Sequence, residues 1–364
     1  MQEKNTPLFD RHIELGGNIV SFGGYLLPTH YSGINLEHLA VRSKAGLFDV
    51  SHMGEFIISG SDAESFLQKV TVNDVASLSV GQAQYSAMCN ASGGIIDDIL
   101  VYKKKNEFML VVNAANNEKD LDWLNSHAHG DIRIENMSDD IGLVAIQGPR
   151  SRNILQTLTD SNLTNIQFYH FVEGRLNGKK AIISRTGYTG ELGFEIYANS
   201  DNIGEIWDAI MKAGQDKGLE PAGLGCRDTL RMEMKFSLYG NDIDDTTNPI
   251  EAGLGRITRL GKTDFMGKNA LLEEKANVTR RLVCLEMTER AIPRQGCTVF
   301  INDEIVGTIT SGTMSPSLET GIGIGYVNMP FDKSGTELLV DIRGRMKSAV
   351  VVKPPFYKNG SLMD

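Results

Sequence analysis

The chain has 364 residues, 41% hydrophobic and 23% charged, an ordinary globular composition with material for two or three domains. Its 36 Lys and Arg stand against 46 Asp and Glu, and a net charge of −10 argues against a general binder of nucleic acid or anionic membrane. The four cysteines, Cys89, Cys226, Cys284 and Cys297, are far apart with no C-x-x-C, which fits reduced thiols of a cytoplasmic protein rather than a disulfide framework or a zinc site.

No apolar run approaches ~18 residues, so no membrane span is expected. The first ten residues lack an apolar core, so no signal peptide is expected either. Residues 6–15 read as a short helix, with Thr6 as cap and Pro7 in the first turn. Residues 18–27 read as a strand ending at Pro28, and 36–44 as a helix closed by Gly46. After a turn over 47–53 come a strand over 54–60 and a helix over 62–70. Residues 84–89 and 95–102 are β-rich and flank the turn formers Asn90-Ala-Ser-Gly-Gly94, which predicts a hairpin. A strand over 108–113 follows, then a helix capped by Asn116 and ending near Gly130. Residues 141–147, 180–184 and 193–198 read as strands, 150–158 and 202–213 as helices. Residues 255–276 form a connector, and from Arg280 helical periodicity gives way to short strands, a small β-barrel or sandwich. The fold class is α+β.

Three clusters could carry chemistry. In the second hairpin strand Asp97 and Asp98 sit where Asp is disfavoured. Alternation puts Ile95, Asp97, Ile99 and Val101 on one face and Ile96, Asp98, Leu100 and Tyr102 on the other. Whichever face packs inward carries a carboxylate, which is costly unless it is paired or lines a cavity. A functional acid and a turn-bonded structural acid are both compatible with this pattern. The second cluster is Arg185-Thr-Gly-Tyr188-Thr-Gly-Glu191-Leu-Gly-Phe-Glu195-Ile-Tyr197. Its glycines permit close backbone approach, and Glu195 beside Gly193 suits an amide-like ligand edge or, equally, a solvated turn. The third is a helix from Arg227 in which Arg227, Arg231 and Lys235 make a basic stripe. Such a stripe is usually solvated, but an Arg at a helix start can bind a carboxylate or pair with Glu195 or Asp98.

Other patterns fail. Gly255 to Thr263 has one residue too many for a P-loop, and Gly321-Ile-Gly-Ile-Gly325 is not a dinucleotide fingerprint. His127 and His129 flank a helix end rather than a metal, and there is no nucleophile elbow. No metal or nucleotide site is expected, which fits an enzyme whose chemistry belongs to an organic cosubstrate.

Together the three clusters resemble the T-protein family, the aminomethyltransferases of the glycine cleavage system. Thr6-Pro7-Leu8-Phe9, Phe48-Asp-Val-Ser-His-Met-Gly54, Val112-Asn113-Ala114, Gln147-Gly-Pro149 and Thr310-Ser-Gly-Thr-Met-Ser-Pro-Ser-Leu318 match in order. The resemblance implies a three-lobed fold around a central folate pocket: two interwoven lobes within 1–275 (1–50 plus 140–275, and 51–139), then a barrel over 280–364. It implies transfer of a one-carbon unit from the aminomethyl-lipoyl arm of H-protein to tetrahydrofolate with release of ammonia, in a pathway shared with P-protein and L-protein. It implies Asp98 as the catalytic acid group. Met53, Tyr85, Val112, Asn113, Tyr188, Glu195, Arg227 and the barrel-loop Arg294 surround the folate, Met53 and Val112 through apolar contact with the pterin. Two positions depart from the family, Tyr25 and Arg256, where Trp is usual. The alternatives on this fold are a folate-dependent demethylase of small methylated metabolites and a non-catalytic folate-binding factor for iron–sulfur protein maturation. The second expects a cysteine near 238–240, where this chain has Phe236-Ser237-Leu238.

Overall fold

In a computed structural model, strands Gln82–Cys89 and Ile95–Lys103 form the predicted hairpin. The structure describes residues 3–364; residues 1 and 2, where the predicted first lobe and the leader reading begin, lie outside it. The turn is fixed by Asn90, whose Oδ1 accepts from the Ser92 N–H, the Ser92 hydroxyl and the Gly94 N–H. Gly93 takes φ +88°. Gly94 is pressed against another segment, because a Cβ there would lie 1.9 Å from the Asp245 carbonyl oxygen. Gly94→Ala should therefore destabilise the protein by about 1–3 kcal/mol, the usual cost of overpacking, as read by denaturant unfolding.

The alternation expected along the second strand breaks at its start. Met88 pairs with Asp97 and Cys89 with Ile95, so Ile96 has no partner and bulges. Ile96 thus joins Ile99 and Val101 in the core under the helices, while Ile95 packs with Ile243 and Leu271. Beyond the bulge the alternation holds, and both faces are covered. Asp97 shares a face with Ile99 and Val101, and Asp98 shares one with Leu100.

This hairpin belongs to a five-stranded sheet in the order Gln82–Cys89, Ile95–Lys103, Phe108–Val112, Gly54–Ser59, Arg133–Asn136. Helices Ala63–Val70 and Asn117–His127 cover one face, burying Phe66, Leu67 and Leu124 against Phe56, Ile58 and Leu110. A six-stranded sheet runs Phe171–Leu176, Lys179–Ser184, Gly193–Asn199, Ile141–Gln147, Ala45–Asp49, Leu219–Pro221. Helix Ser200–Gly214 buries Ile203, Ile206, Trp207 and Ile210 on it. The opposite faces of the two sheets meet through Tyr102, Met109 and Val111 on one side and Leu143, Ala145 and Tyr197 on the other. Six further strands between Arg280 and Val352 close into a barrel, so the chain has three lobes with the barrel last.

Several local expectations change. Residues 18–27 are a hairpin, Ile19–Phe22 and Tyr25–Pro28, because Gly23 and Gly24 both take positive φ (57° and 86°), as a two-residue turn requires. The helix expected over 36–44 starts earlier, at Ile34, and Gly46 does not cap it but lies in the buried Ala45–Asp49 strand. The helix expected over 150–158 is α only for Ser151–Leu155 and tightens to 3₁₀ over Gln156–Leu158. Strands Phe171–Leu176, Arg133–Asn136 and Leu219–Pro221 carry no clear alternation in the sequence and emerge only from their pairing.

Candidate functional site

Between the two sheets, beside helix Leu224–Met234, lies a cavity of about 330 Å³. Its walls are largely apolar, with Met53, Leu100, Val111, Leu143 and Leu254 among them. The polar groups gather in two sets.

The first set surrounds Asp98. The Tyr85 hydroxyl donates to Asp98 Oδ2 at 2.9 Å, and Asn113 Nδ2 lies 3.0 Å from Oδ1. Burial first, then the charge of neighbouring Asp97, pushes the Asp98 carboxyl up to about 7, against the pull of the Tyr85 and Asn113 bonds. Asp97 points the other way and is fully buried. It accepts from the Asn113 N–H (2.9 Å), Asn113 Nδ2 (2.8 Å) and Asn116 Nδ2 (2.6 Å). Asn116 precedes helix Asn117–His127 as expected, but its side chain serves Asp97 and does not cap the helix.

The second set holds Glu195, Arg227 and Tyr188. Glu195 and Tyr197 face the cavity, while Phe194 and Ile196 enter the core behind, as alternation predicts. The Thr186 hydroxyl donates to Glu195 Oε2. A buried tyrosine steadies this wall: the Tyr102 hydroxyl lies 3.0, 3.2 and 3.3 Å from Tyr197 Oη, Ser184 Oγ and Thr186 Oγ1. Burial raises the Glu195 carboxyl, with Thr186 and Arg227 opposing. The glycines of this cluster do allow close approach, but the gap is filled from within the protein. A Cβ at Gly187 or Gly193 would come within 2.1 or 2.4 Å of the Gln147 carboxamide.

The Arg227 guanidinium stacks 4.6 Å above the Tyr188 ring and makes no hydrogen bond or ion pair among the described residues. The expected pairing with Glu195 or Asp98 is therefore not formed, and its donors face the cavity. Nor is the basic stripe solvated. Arg231 is buried against Asp242 and Asp228, and Lys235, in a left-handed conformation at the helix end, lines the cavity with Nζ on the Ala252 carbonyl at 2.8 Å.

Seven of the nine residues singled out in the sequence thus come together: Met53, Tyr85, Asp98, Asn113, Tyr188, Glu195 and Arg227. Two do not. Val112 lies in the core under the helices; its neighbour Val111, paired with Leu100, faces the cavity instead. Arg294 is exposed and donates to the Gly312 carbonyl at 3.2 Å. Pro293 packs so tightly on Gly312, whose Cβ would lie 2.3 Å from the Pro293 oxygen, that the loop turns Arg294 outward. Arg256 is exposed too, and Tyr25 lies edge-on to His52 at 6.4 Å. Of the lining residues the sequence did not single out, Val111 and Tyr197 follow from face-sharing with Leu100 and Glu195; Tyr169, with φ +59°, has no local signal.

The loop bearing Met53 is anchored from below. Buried Asp49 accepts from Thr6 Oγ1 (2.6 Å), from the Ser51 N–H (2.9 Å) and from His12 Nε2 (2.9 Å). His52, in the same loop, is pushed down to about 4 by burial and then by Arg227, and stays neutral at physiological pH.

A family profile for the GCVT N-terminal domain matches residues 8–262, and one for the glycine cleavage T-protein C-terminal barrel domain matches 280–358. An aminomethyltransferase of Bacillus subtilis (strain 168) is 50% identical, covering 98% of this chain and 99% of its own. One of Bacteroides fragilis is 52% identical, covering 98% and 100%. The crystal structure of glycine cleavage system aminomethyltransferase T from Bartonella henselae superposes with a TM-score of 0.92 at 32% identity, over 98% of this chain and 99% of that one. The chain therefore belongs to the glycine cleavage T-protein family and is, with it, an aminomethyltransferase.

Proposed function

We propose that the cavity binds tetrahydrofolate and that the protein passes to it the one-carbon unit carried on the lipoyl arm of an H-protein, releasing ammonia. The observation that carries this reading is a hollow holding Asp98 among neutral donors together with Glu195 and an Arg227 guanidinium that has no hydrogen-bond or ion-pair partner among the described residues. A volume of about 330 Å³ suits a bicyclic ring system held between Met53, Val111 and Leu143. Glu195 can accept from the amino edge of a pterin, and Arg227 can donate to its carbonyl or to a carboxylate.

The folate, when bound, supplies the amine nitrogen that takes up the one-carbon unit. Asp98 would do the proton work: its ionised form would accept the proton shed by the attacking nitrogen as the carbon's bonds to the lipoyl sulfur and to its amino group break, and would return it to the departing group, so that the dihydrolipoyl thiol and ammonia leave. Tyr85 and Asn113 hold the carboxylate still for this, and the apolar walls exclude water. Because the ionised form is the active one, kcat/KM should rise with pH along a limb centred near the raised Asp98 value of about 7 and level off above it.

The test is ammonia release from aminomethyl-loaded H-protein with and without tetrahydrofolate; rates equal in the two cases would overturn the reading. A hydrogen bond to a charged group contributes about 1.5–3 kcal/mol, so Glu195→Ala should weaken folate binding roughly 10- to 100-fold by calorimetric titration. The P- and L-proteins follow as pathway partners. A cytoplasmic location, which we also infer, agrees with four free cysteines and no helix long and apolar enough to cross a membrane among the described residues.

A further inference from the structure

Asp120 lies on helix Asn117–His127, one turn before Leu124, and is fully buried. Neither of its carboxyl oxygens receives a hydrogen bond from any donor among the described residues. Its polar contact is the Asp97 carboxyl. Two ionised carboxylates in contact, away from water, repel strongly; one shared proton removes the repulsion and satisfies the orphaned oxygens. The other donors decide which acid keeps that proton. Asp97 already accepts three hydrogen bonds from Asn113 and Asn116, and Asp120 accepts none. Donors favour the anion, and their absence favours the neutral acid. The charged groups facing Asp120 are Asp97 and Asp98 from the strand and Lys119 from its own helix. The Lys119 ammonium is engaged elsewhere, on the Ile96 carbonyl at 2.6 Å and the Tyr239 hydroxyl at 2.9 Å. Burial first, then Asp97, push the Asp120 carboxyl up to about 10.

We propose that Asp120 is a positioning residue: it keeps its proton, donates it to Asp97, and so holds Asp97 as the anion that fixes the Asn113 amide against Asp98. Asn113 Nδ2 is shared between Asp97 Oδ1 at 2.8 Å and Asp98 Oδ1 at 3.0 Å, which completes a chain from Asp120 to the reacting carboxylate. The role rests on the assignment of Asp98 made above.

The test uses the full chain with Asp120→Asn, which keeps a planar donor without a charge to lose, and Asp120→Leu, which removes the donor. A carboxyl whose value is raised in the folded state contributes stability at low pH that is lost as pH rises toward the folded value. Wild type should therefore lose stability relative to Asp120→Asn between about pH 5 and about pH 8.5, seen as a widening Tm difference. A difference constant across that range overturns the held proton. In the pH–rate profile, Asp120→Asn should leave the Asp98 limb within about 0.3 unit. Asp120→Leu should let Asp97 take up a proton, relieve the repulsion on Asp98, and move the limb down by roughly 1 unit with kcat/KM reduced about 10-fold. An unmoved limb in a folded Leu variant overturns the positioning role; so does a limb displaced by about 1 unit in the Asn variant, which serves even if the Leu variant does not fold. Full activity in Asp98→Asn would instead remove the assignment of Asp98, while the Tm series would still read the Asp120 proton.

Discussion

Asp98→Asn should lower kcat by two to four orders of magnitude, the range of a positioned acid–base group, or about 3–5 kcal/mol of barrier. The substitution keeps the shape of the side chain and the donors around it, Tyr85 and Asn113, at 2.9 and 3.0 Å. It removes only the capacity to take up a proton. Folate affinity, set by Glu195, Arg227 and the apolar walls, should change little, so the loss should fall on kcat. Asp97→Ala should divide its effect differently. Asp97 does not line the cavity, and its removal strands the Asn113 N–H and the Asn116 amide in the interior. We expect a smaller catalytic loss and a stability loss of about 1–3 kcal/mol per unsatisfied donor. Steady-state kinetics beside urea unfolding checks both; equal, mild losses of activity in the two variants would mean that the wrong carboxylate was chosen or that neither matters.

The largest effect on stability is expected at Glu233, where two helices and the barrel meet. This buried carboxylate accepts from Arg42 Nη2 at 2.7 Å, Ser317 Oγ at 2.9 Å and the Ser315 hydroxyl, and lies 3.2 Å from His38 Nε2. Arg42 continues to Glu191 at 2.8 Å and stacks 4.1 Å over the Tyr357 ring. Glu233→Ala would leave Arg42 with Glu191 alone and strand the Ser315 and Ser317 hydroxyls in the interior; at about 1–3 kcal/mol for each unsatisfied group, and with a buried pair broken, a loss of about 3–5 kcal/mol is expected in urea unfolding. The pH dependence has a definite sign. Burial alone would raise the Glu233 carboxyl, but His38, Arg42 and Ser315 together hold it down to about 2, below its ordinary 4.5. A depressed carboxyl stabilises above its unfolded value and loses that contribution as pH falls toward the folded one. The gap between wild type and Glu233→Gln should therefore be widest at neutral pH and close as pH falls from 4.5 toward 2.

Why some of this was legible in the sequence and some was not has physical reasons. Two aspartates inside a β-rich run break a local rule, and breaks of that kind mark sites. Glu195 and Tyr197 could be placed together because strand alternation is strict over short stretches. The same alternation failed at Ile95 and Ile96 because a bulge is a property of the pair of strands, and one strand read alone cannot show it. Val112 was one residue out for a related cause: the sequence gives the two faces of a strand but not which covers the cavity. Arg294 came from resemblance, and its outward turn depends on Pro293 packing against Gly312, a contact between distant segments. The basic stripe of Arg227, Arg231 and Lys235 has the spacing of a solvated helix face, and only its burial beside Asp242 and the barrel shows otherwise. Asp120 draws no notice in the sequence, because nothing local marks it as fully enclosed.

The hollow between the sheets owes its walls to stretches hundreds of positions apart, from Val50 to Leu254. Such a hollow cannot exist in a partly made chain, since no early fragment contains both Asp98 and Arg227. Recognition thus requires the two sheet-bearing lobes to be packed together, and it is forfeited when either loosens. A cosubstrate that occupies the hollow therefore acts as a clasp between lobes, and lesions far from the chemistry, at Glu233 or Gly94, should be partly masked while it is abundant.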